Sequence, residues 1–212
     1  MKQILGFLQN QYAAGQKDAD EWSAIYESVP QVRRRIISKY ICHGHSLTAR
    51  RLQKAFGENI EQFAFENASP LVGTHSSSRF AADSEHMASV IEEVKPVLVV
   101  TFGKVAEEGL YFLLNCDKWT MERSLFLPHP AARGTDDWER DGWNERVKAK
   151  LRSVLNTDLA PGTRITHVRS NEAGTVLDAR LDEYDSPTLL VSFDEGRTQE
   201  VPPELVRVEE AA

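Results

Sequence analysis

His129 stands between two prolines, in the run Leu127-Pro128-His129-Pro130-Ala131-Ala132-Arg133-Gly134. Each proline fixes its own φ and restricts the residue before it, so such a loop holds an imidazole stiffly. That is a good way to hold an imidazole at a pocket mouth. Asn67 closes the stretch Phe65-Glu66-Asn67-Ala68. Its amide offers a donor and an acceptor side by side. Upstream, Cys42-His43-Gly44-His45-Ser46 gathers two imidazoles beside a thiol. His and Cys are zinc donors, but no second cluster stands at ligand spacing. His75, His86 and His129 would have to converge by folding, and no metal or cofactor is expected. Two basic clusters complete the inventory: Arg33-Arg34-Arg35 with Lys39, and Arg50-Arg51 with Lys54. Such runs are either solvated faces or phosphate contacts.

These side chains need elements to position them. The apolar run Val97-Leu98-Val99-Val100 passes through Thr101-Phe102-Gly103-Lys104 into a helical pattern from Val105 to Leu114. That is the signature of a buried parallel strand followed by a helix. Leu125-Phe126-Leu127 reads as the next strand, so His129 falls just past a strand's carboxyl end, where open α/β sheets bind ligands. Strands are also predicted at 36–41 and 60–66, and helices over 47–56 and from Asp83 or Ser84 to Val94. Residues 1–30 read as helical, and a closing helix is predicted from Trp138 to Leu155. Strands alternating with helices imply a parallel sheet covered on both faces. Loops 42–46, 67–79, 103–104 and 129–134 then gather at one edge.

The texture changes at Leu159-Ala160-Pro161-Gly162. Short alternating segments follow at 163–168, 174–181, 188–193, 198–201 and 205–208, with a hairpin turn at Asp194-Glu195-Gly196-Arg197. The predicted organisation is an α/β domain over 1–158 and a small all-β, SH3-like barrel over 159–212. The tail holds 5 Lys/Arg against 11 Asp/Glu, most of the net charge of −7 over 212 residues. A large basic surface is therefore excluded there, and overall acidity argues against a non-specific nucleic-acid coat. No apolar stretch is long enough for a bilayer, so no membrane is expected. Two cysteines cannot build a disulfide framework, and a reducing cytoplasm is the expected location.

Two pieces of the first domain resemble the uracil-DNA glycosylase superfamily. Lys95-Pro96-Val97-Leu98-Val99-Val100-Thr101-Phe102-Gly103-Lys104-Val105-Ala106 resembles that family's third strand and following helix. His129-Pro130-Ala131-Ala132-Arg133 resembles its histidine loop. Phe65-Glu66-Asn67-Ala68 falls where the family has a strand ending in a base-reading asparagine. The resemblance covers roughly residues 36–155. It departs at the first motif, which follows the first strand and carries an acidic or amide residue beside Pro. The loop 42–46, taken as that motif, has neither.

The resemblance implies a DNA-base-directed enzyme that hydrolyses an N-glycosidic bond of a uracil-like or modified base. His129 would stabilise the leaving base, and Asn67 would read it. His45 would take part in catalysis, while Gly44, Ser46, Gly103 and Arg133 would contact sugar, phosphate or base. The partner is DNA, single- or double-stranded, or a nucleotide. The alternative is a binding protein on the same fold that recognises a modified base without cleaving it. The C-terminal barrel resembles Tudor-like or KOW-like modules through Gly174-Thr175-Val176 and Val191-Ser192-Phe193-Asp194-Glu195-Gly196. Its acidity suits a protein partner or intramolecular docking.

Overall fold

The computed structural model describes residues 4–9, 20–21, 23–25, 30–72, 80–132, 142–156, 159–181 and 187–209. Two compact units divide at Asn144 and Glu145.

The first unit is built on four parallel strands in the order β2-β1-β3-β4. They are β1 (Ile4–Leu8), β2 (Phe63–Asn67), β3 (Leu98–Phe102) and β4 (Ser124–Leu127). The helices are α1 (Pro30–His43), α2 (Leu47–Phe56), α3 (Ser84–Val94) and α4 (Lys104–Asn115). The alternation of strand and helix is as predicted, with two corrections. The first strand is Ile4–Leu8, not 36–41, and residues 30–43 form a helix. All five residues of β1 are buried, so it carries no alternating pattern to announce it. The β-branched pair Ile36-Ile37 suggested a strand, but the buried positions of α1 are 33, 34, 37 and 41, a helical spacing. Residues 1–30 were expected to be helical: 4–8 is instead strand β1, while residues 20–21 and 23–25 are helical.

Alternate strand residues serve opposite faces of the sheet. Leu5, Phe7 and Val99 pack under Met87, Val90 and Ile91 of α3 and Ala106, Leu110 and Leu113 of α4. On the other face Phe56 of α2 meets Phe63 at 5.1 Å and Phe102 at 6.3 Å between ring centroids. Gly6 leaves room for this aromatic layer: a Cβ there would lie 2.9 Å from the Phe65 ring. Helix α1 lies along β2, the outer strand, where Ser38 Oγ accepts from the Phe65 backbone N–H at 3.0 Å. Covering an edge in this way removes a site for unwanted strand pairing.

The second unit holds α5 (Trp143–Asn156), all but its first two residues, and a five-stranded antiparallel sheet of order β8-β7-β6-β5-β9. Its strands are β5 (Arg164–His167), β6 (Ala173–Leu181), β7 (Pro187–Phe193), β8 (Thr198–Val201) and β9 (Val206–Val208). Ile165, Val176, Leu189, Val191, Phe193, Val201 and Val206 form its core. Buried Asn156 donates from Nδ2 to the carbonyls of Pro203 and Val206, both at 3.0 Å, and ties α5 to this sheet. The contact boundary therefore falls in the first turn of α5, whereas the composition change that set the expected boundary at 158/159 follows that helix. Among the described residues no helix is long and apolar enough to cross a membrane.

Candidate functional site at the carboxyl edge of the parallel sheet

The sheet order fixes where a crevice opens. The chain leaves β1 for α1 and α2, which lead to β2 with α2 on the aromatic face. It leaves β3 for α4, on the opposite face, and goes to β4. Neighbouring strands whose connections diverge leave a gap beyond their carboxyl ends. That gap lies between Leu8-Gln9 and Phe102-Gly103. Asn67 flanks it at the end of β2, and His129 flanks it just past β4. Three strand spacings separate those two strand ends, roughly 14 Å of backbone.

His129 is held from several sides. Gly103, at φ +94°, lets the β3–α4 turn pass directly beneath it: a Cβ on Gly103 would lie 2.7 Å from His129 Cβ. The Gly103 N–H donates to Leu127 O at 2.8 Å. Arg51 of α2 donates to the carbonyl of Pro130. The Ala131 N–H donates to His129 Nδ1 at 3.1 Å. A backbone N–H can only donate, so Nδ1 is the unprotonated nitrogen and the neutral ring carries its proton on Nε2. Burial pushes the His129 pKa below the usual histidine value. The side chain is therefore a neutral Nε2–H donor near pH 7.

Asn67 is 3% exposed and its backbone is pinned on both sides. Its N–H donates to Glu66 Oε1 at 3.0 Å, and its carbonyl lies 3.1 Å from His86 Nε2. A carbonyl only accepts, so His86 carries its proton on Nε2. Glu66, fully buried, pairs with buried Arg33 at 2.9 Å. Burial raises the Glu66 pKa despite the opposing guanidinium. Burial, aided by the charge of Arg33, lowers that of His86. Sequence reasoning gave Glu66 no role, placed Arg33 on a solvated or phosphate-binding face and weighed His86 only as a metal donor; Arg33 is instead buried against Glu66, and His86 meets the Asn67 carbonyl. The signal was present in Phe63-Ala64-Phe65-Glu66-Asn67, because a carboxylate inside an apolar strand needs a buried partner.

The loop 42–46 is not part of this edge. It joins α1 to α2 rather than following a strand, and His43 lies in one groove with Glu61, which precedes β2. Ser46 caps α2, its Oγ accepting from the Ala49 N–H at 3.1 Å. Gly44 is needed for the turn, since a Cβ there would lie 2.1 Å from Tyr40 O. His45 is exposed. Gly103, Asn67 and His129 thus share the carboxyl edge, while Gly44, His45 and Ser46 form a helix–helix turn. Arg133 and His75 lie outside the described residues. The chain segment that follows the first strand is Gln9-Asn10-Gln11, three amide side chains; Gln9 is half-buried, and 10–19 lie outside the described residues.

A cavity of about 720 Å³ lies at the opposite end of the strands, where Pro96 and Arg123 precede β3 and β4. Arg123 covers the Trp119 ring there at 4.7 Å and donates to the carbonyls of Pro96 and Val97. Among the described residues no group of three or more His, Cys, Asp or Glu side chains could hold a metal ion. No family model, curated protein or solved structure matches this chain.

Proposed function

We propose that the first unit takes a nucleobase into the crevice between β1 and β3 and cleaves its N-glycosidic bond. The observation that carries this reading is the tautomer and placement of His129. A neutral Nε2–H donor, rigidly held beside the switch point, suits a base oxygen on which charge develops as the bond breaks. In that reaction a water oxygen bonds to the anomeric carbon, and the proton it gives up is taken by the departing base anion. The carbon–nitrogen bond breaks with its electron pair on the base, and His129 stabilises the resulting anion. Asn67 reads the base edge once the nucleotide has left the stack. The amides Gln9, Asn10 and Gln11 occupy the place after the first strand where the resembling family carries an acidic or amide residue. No proline stands beside them, so the departure from that motif is narrowed to the proline. In the second unit, the acidic antiparallel sheet acts as a small-barrel module for a protein partner.

One observation favours a binding-only reading. Among the described residues of the crevice rim no carboxylate is available to activate water, since Glu66 is committed to Arg33 and the Asn67 N–H. The test is base release from oligonucleotides carrying uracil, mismatches or hypermodified pyrimidines, with binding measured in parallel. Release dependent on His129 supports the enzyme. Tight binding without release assigns the protein to recognition, and neither result for any base removes both readings.

A further inference from the structure

The basic run that opens α1 divides by role. Arg33 is consumed by Glu66, and Arg34 Nη2 by Glu93, leaving Arg34 Nη1 without an acceptor. Arg35 and Lys39 are exposed and have no ion-pair or hydrogen-bond partner among the described residues. The same is true of His43. These side chains recur along one face of α1, which forms one wall of a groove of about 400 Å³ against Glu61 and Ala64 at the outer edge of β2.

Two unpaired cations on one stripe stand out in a chain of net charge −7. Each keeps its head group in water at no cost, so their placement adds little to folding. They do create a local positive field over a groove with low-dielectric walls, which is where an anion concentrates. The groove lies beside β2, the strand that ends at Asn67. Ala64 is three residues before Asn67, roughly 10 Å along the strand. Arg35 and Lys39 lie one helical turn apart, about 6 Å along the axis, a distance that two ligand phosphates can span.

We infer that this groove holds backbone phosphates of the nucleic-acid strand whose base enters the crevice, with Arg35 and Lys39 as the contacts. The inference rests on the base-directed reading above and adds the path of the strand. Arg34 contributes its charge and a wall to the groove, and Ser38 is taken by the Phe65 N–H and serves the fold.

The test is fluorescence anisotropy of a labelled single-stranded DNA 15-mer against the full chain over a range of salt, with inorganic pyrophosphate as competitor. Arg35→Gln/Lys39→Gln should weaken binding about tenfold at low salt and reduce the slope of log K against log salt by about 1.4, two strand phosphates. Both side chains are exposed and unpartnered, so an unchanged unfolding curve should accompany the loss. The control pair Lys118→Gln/Arg207→Gln removes two exposed charges elsewhere and should leave the slope intact. An unchanged slope in the groove variant, or an equal change in the control, overturns the inference. Binding of pyrophosphate without binding of DNA also overturns it, in favour of a free-phosphate site. Base release is scored separately. A groove-dependent slope without release sustains the groove and sinks the enzyme. Release with DNA binding indifferent to Arg35 and Lys39 does the reverse.

Discussion

Gly103 and His129 are in contact across two loops: the β3–α4 turn passes so close beneath the histidine that a Cβ on Gly103 would lie 2.7 Å from His129 Cβ. The same glycine has φ +94° and ψ 167°, a backbone region closed to other residues. One residue therefore satisfies two demands, a strained turn and a close approach. The height of the imidazole over the crevice is set by the turn that starts α4, not only by the prolines on either side.

Gly103→Ala should cost about 1–3 kcal/mol, the usual range for a residue forced into such a backbone region. Urea unfolding gives the stability. The His129 imidazole signals, followed by NMR titration, should shift as the ring is displaced and exposed. A variant with unchanged stability and unchanged His129 signals would mean that the contact is not maintained in solution.

Stability should fall as pH drops below about 6.5, the ordinary histidine pKa. Burial depresses the folded-state pKa of His129 and His86, so the unfolded chain binds more protons in the window below that value. The two histidines contribute stability that is full above about 6.5 and is lost as pH falls through their folded values. Glu66 has the opposite sign. Its folded pKa is raised, so stability recovers as pH falls through that value toward 4.5. The histidine contribution is therefore read as the difference between wild type and the His86→Gln and His129→Gln variants. Chemical denaturation at intervals from pH 8 to 5 should show parallel curves above 6.5 and convergence below.

Arg33→Met should destabilise the first unit by about 3–5 kcal/mol, because it leaves the Glu66 carboxylate buried without its partner. Glu66→Gln added to Arg33→Met should recover much of that loss. Glutamine keeps an Oε1 acceptor for the Asn67 N–H and carries no charge. Hydrogen exchange of the Asn67 amide separates the two variants: protection should drop in the single and return in the double. If both lose equal stability, the pair contributes through packing rather than charge.

The elements legible in the sequence are those with a period or a punctuation mark. Helix α2 was readable from its apolar spacing and Gly57, and α3 from Asp83, whose side chain caps it. The five short strands of the tail stood out between turn residues. Strand β1 was hidden because a strand buried on both faces has no alternation, and Ile36-Ile37 mimicked one through local propensity. That single exchange displaced the reading of the first loop from Gln9 to Cys42. The placement of Asn67 and the histidine loop at strand ends was readable because Asn67 closes, and the loop follows, an apolar run that is a strand. The support around Asn67 was not, since Arg33, which pairs with Glu66, and His86, which meets the Asn67 carbonyl, lie far from them in sequence and reach them only through tertiary packing of α1 and α3.

His129→Ala and Asn67→Ala should separate in kind. The donor of His129 acts on charge that appears only as the base leaves. Its loss should lower the rate of base release by about 10²–10³ and leave substrate affinity nearly unchanged. Asn67 reads the base already in the ground state. Its loss should weaken affinity, and it should also narrow the discrimination between bases, because a competing base no longer leaves a buried amide unpaired. Single-turnover rates and equilibrium binding, measured on the same set of oligonucleotides, resolve the two effects. For a protein that only binds, wild type releases no base, and both changes weaken affinity by about 1–3 kcal/mol, the cost of a buried polar group left without its partner. The fixed tautomer sharpens the comparison. His129→Gln still offers an amide N–H near the position of Nε2 and should retain part of the activity that alanine loses. If alanine and glutamine at 129 behave alike, and Asn67→Ala changes neither rate nor affinity, then the carboxyl edge of this sheet is not where the base is held.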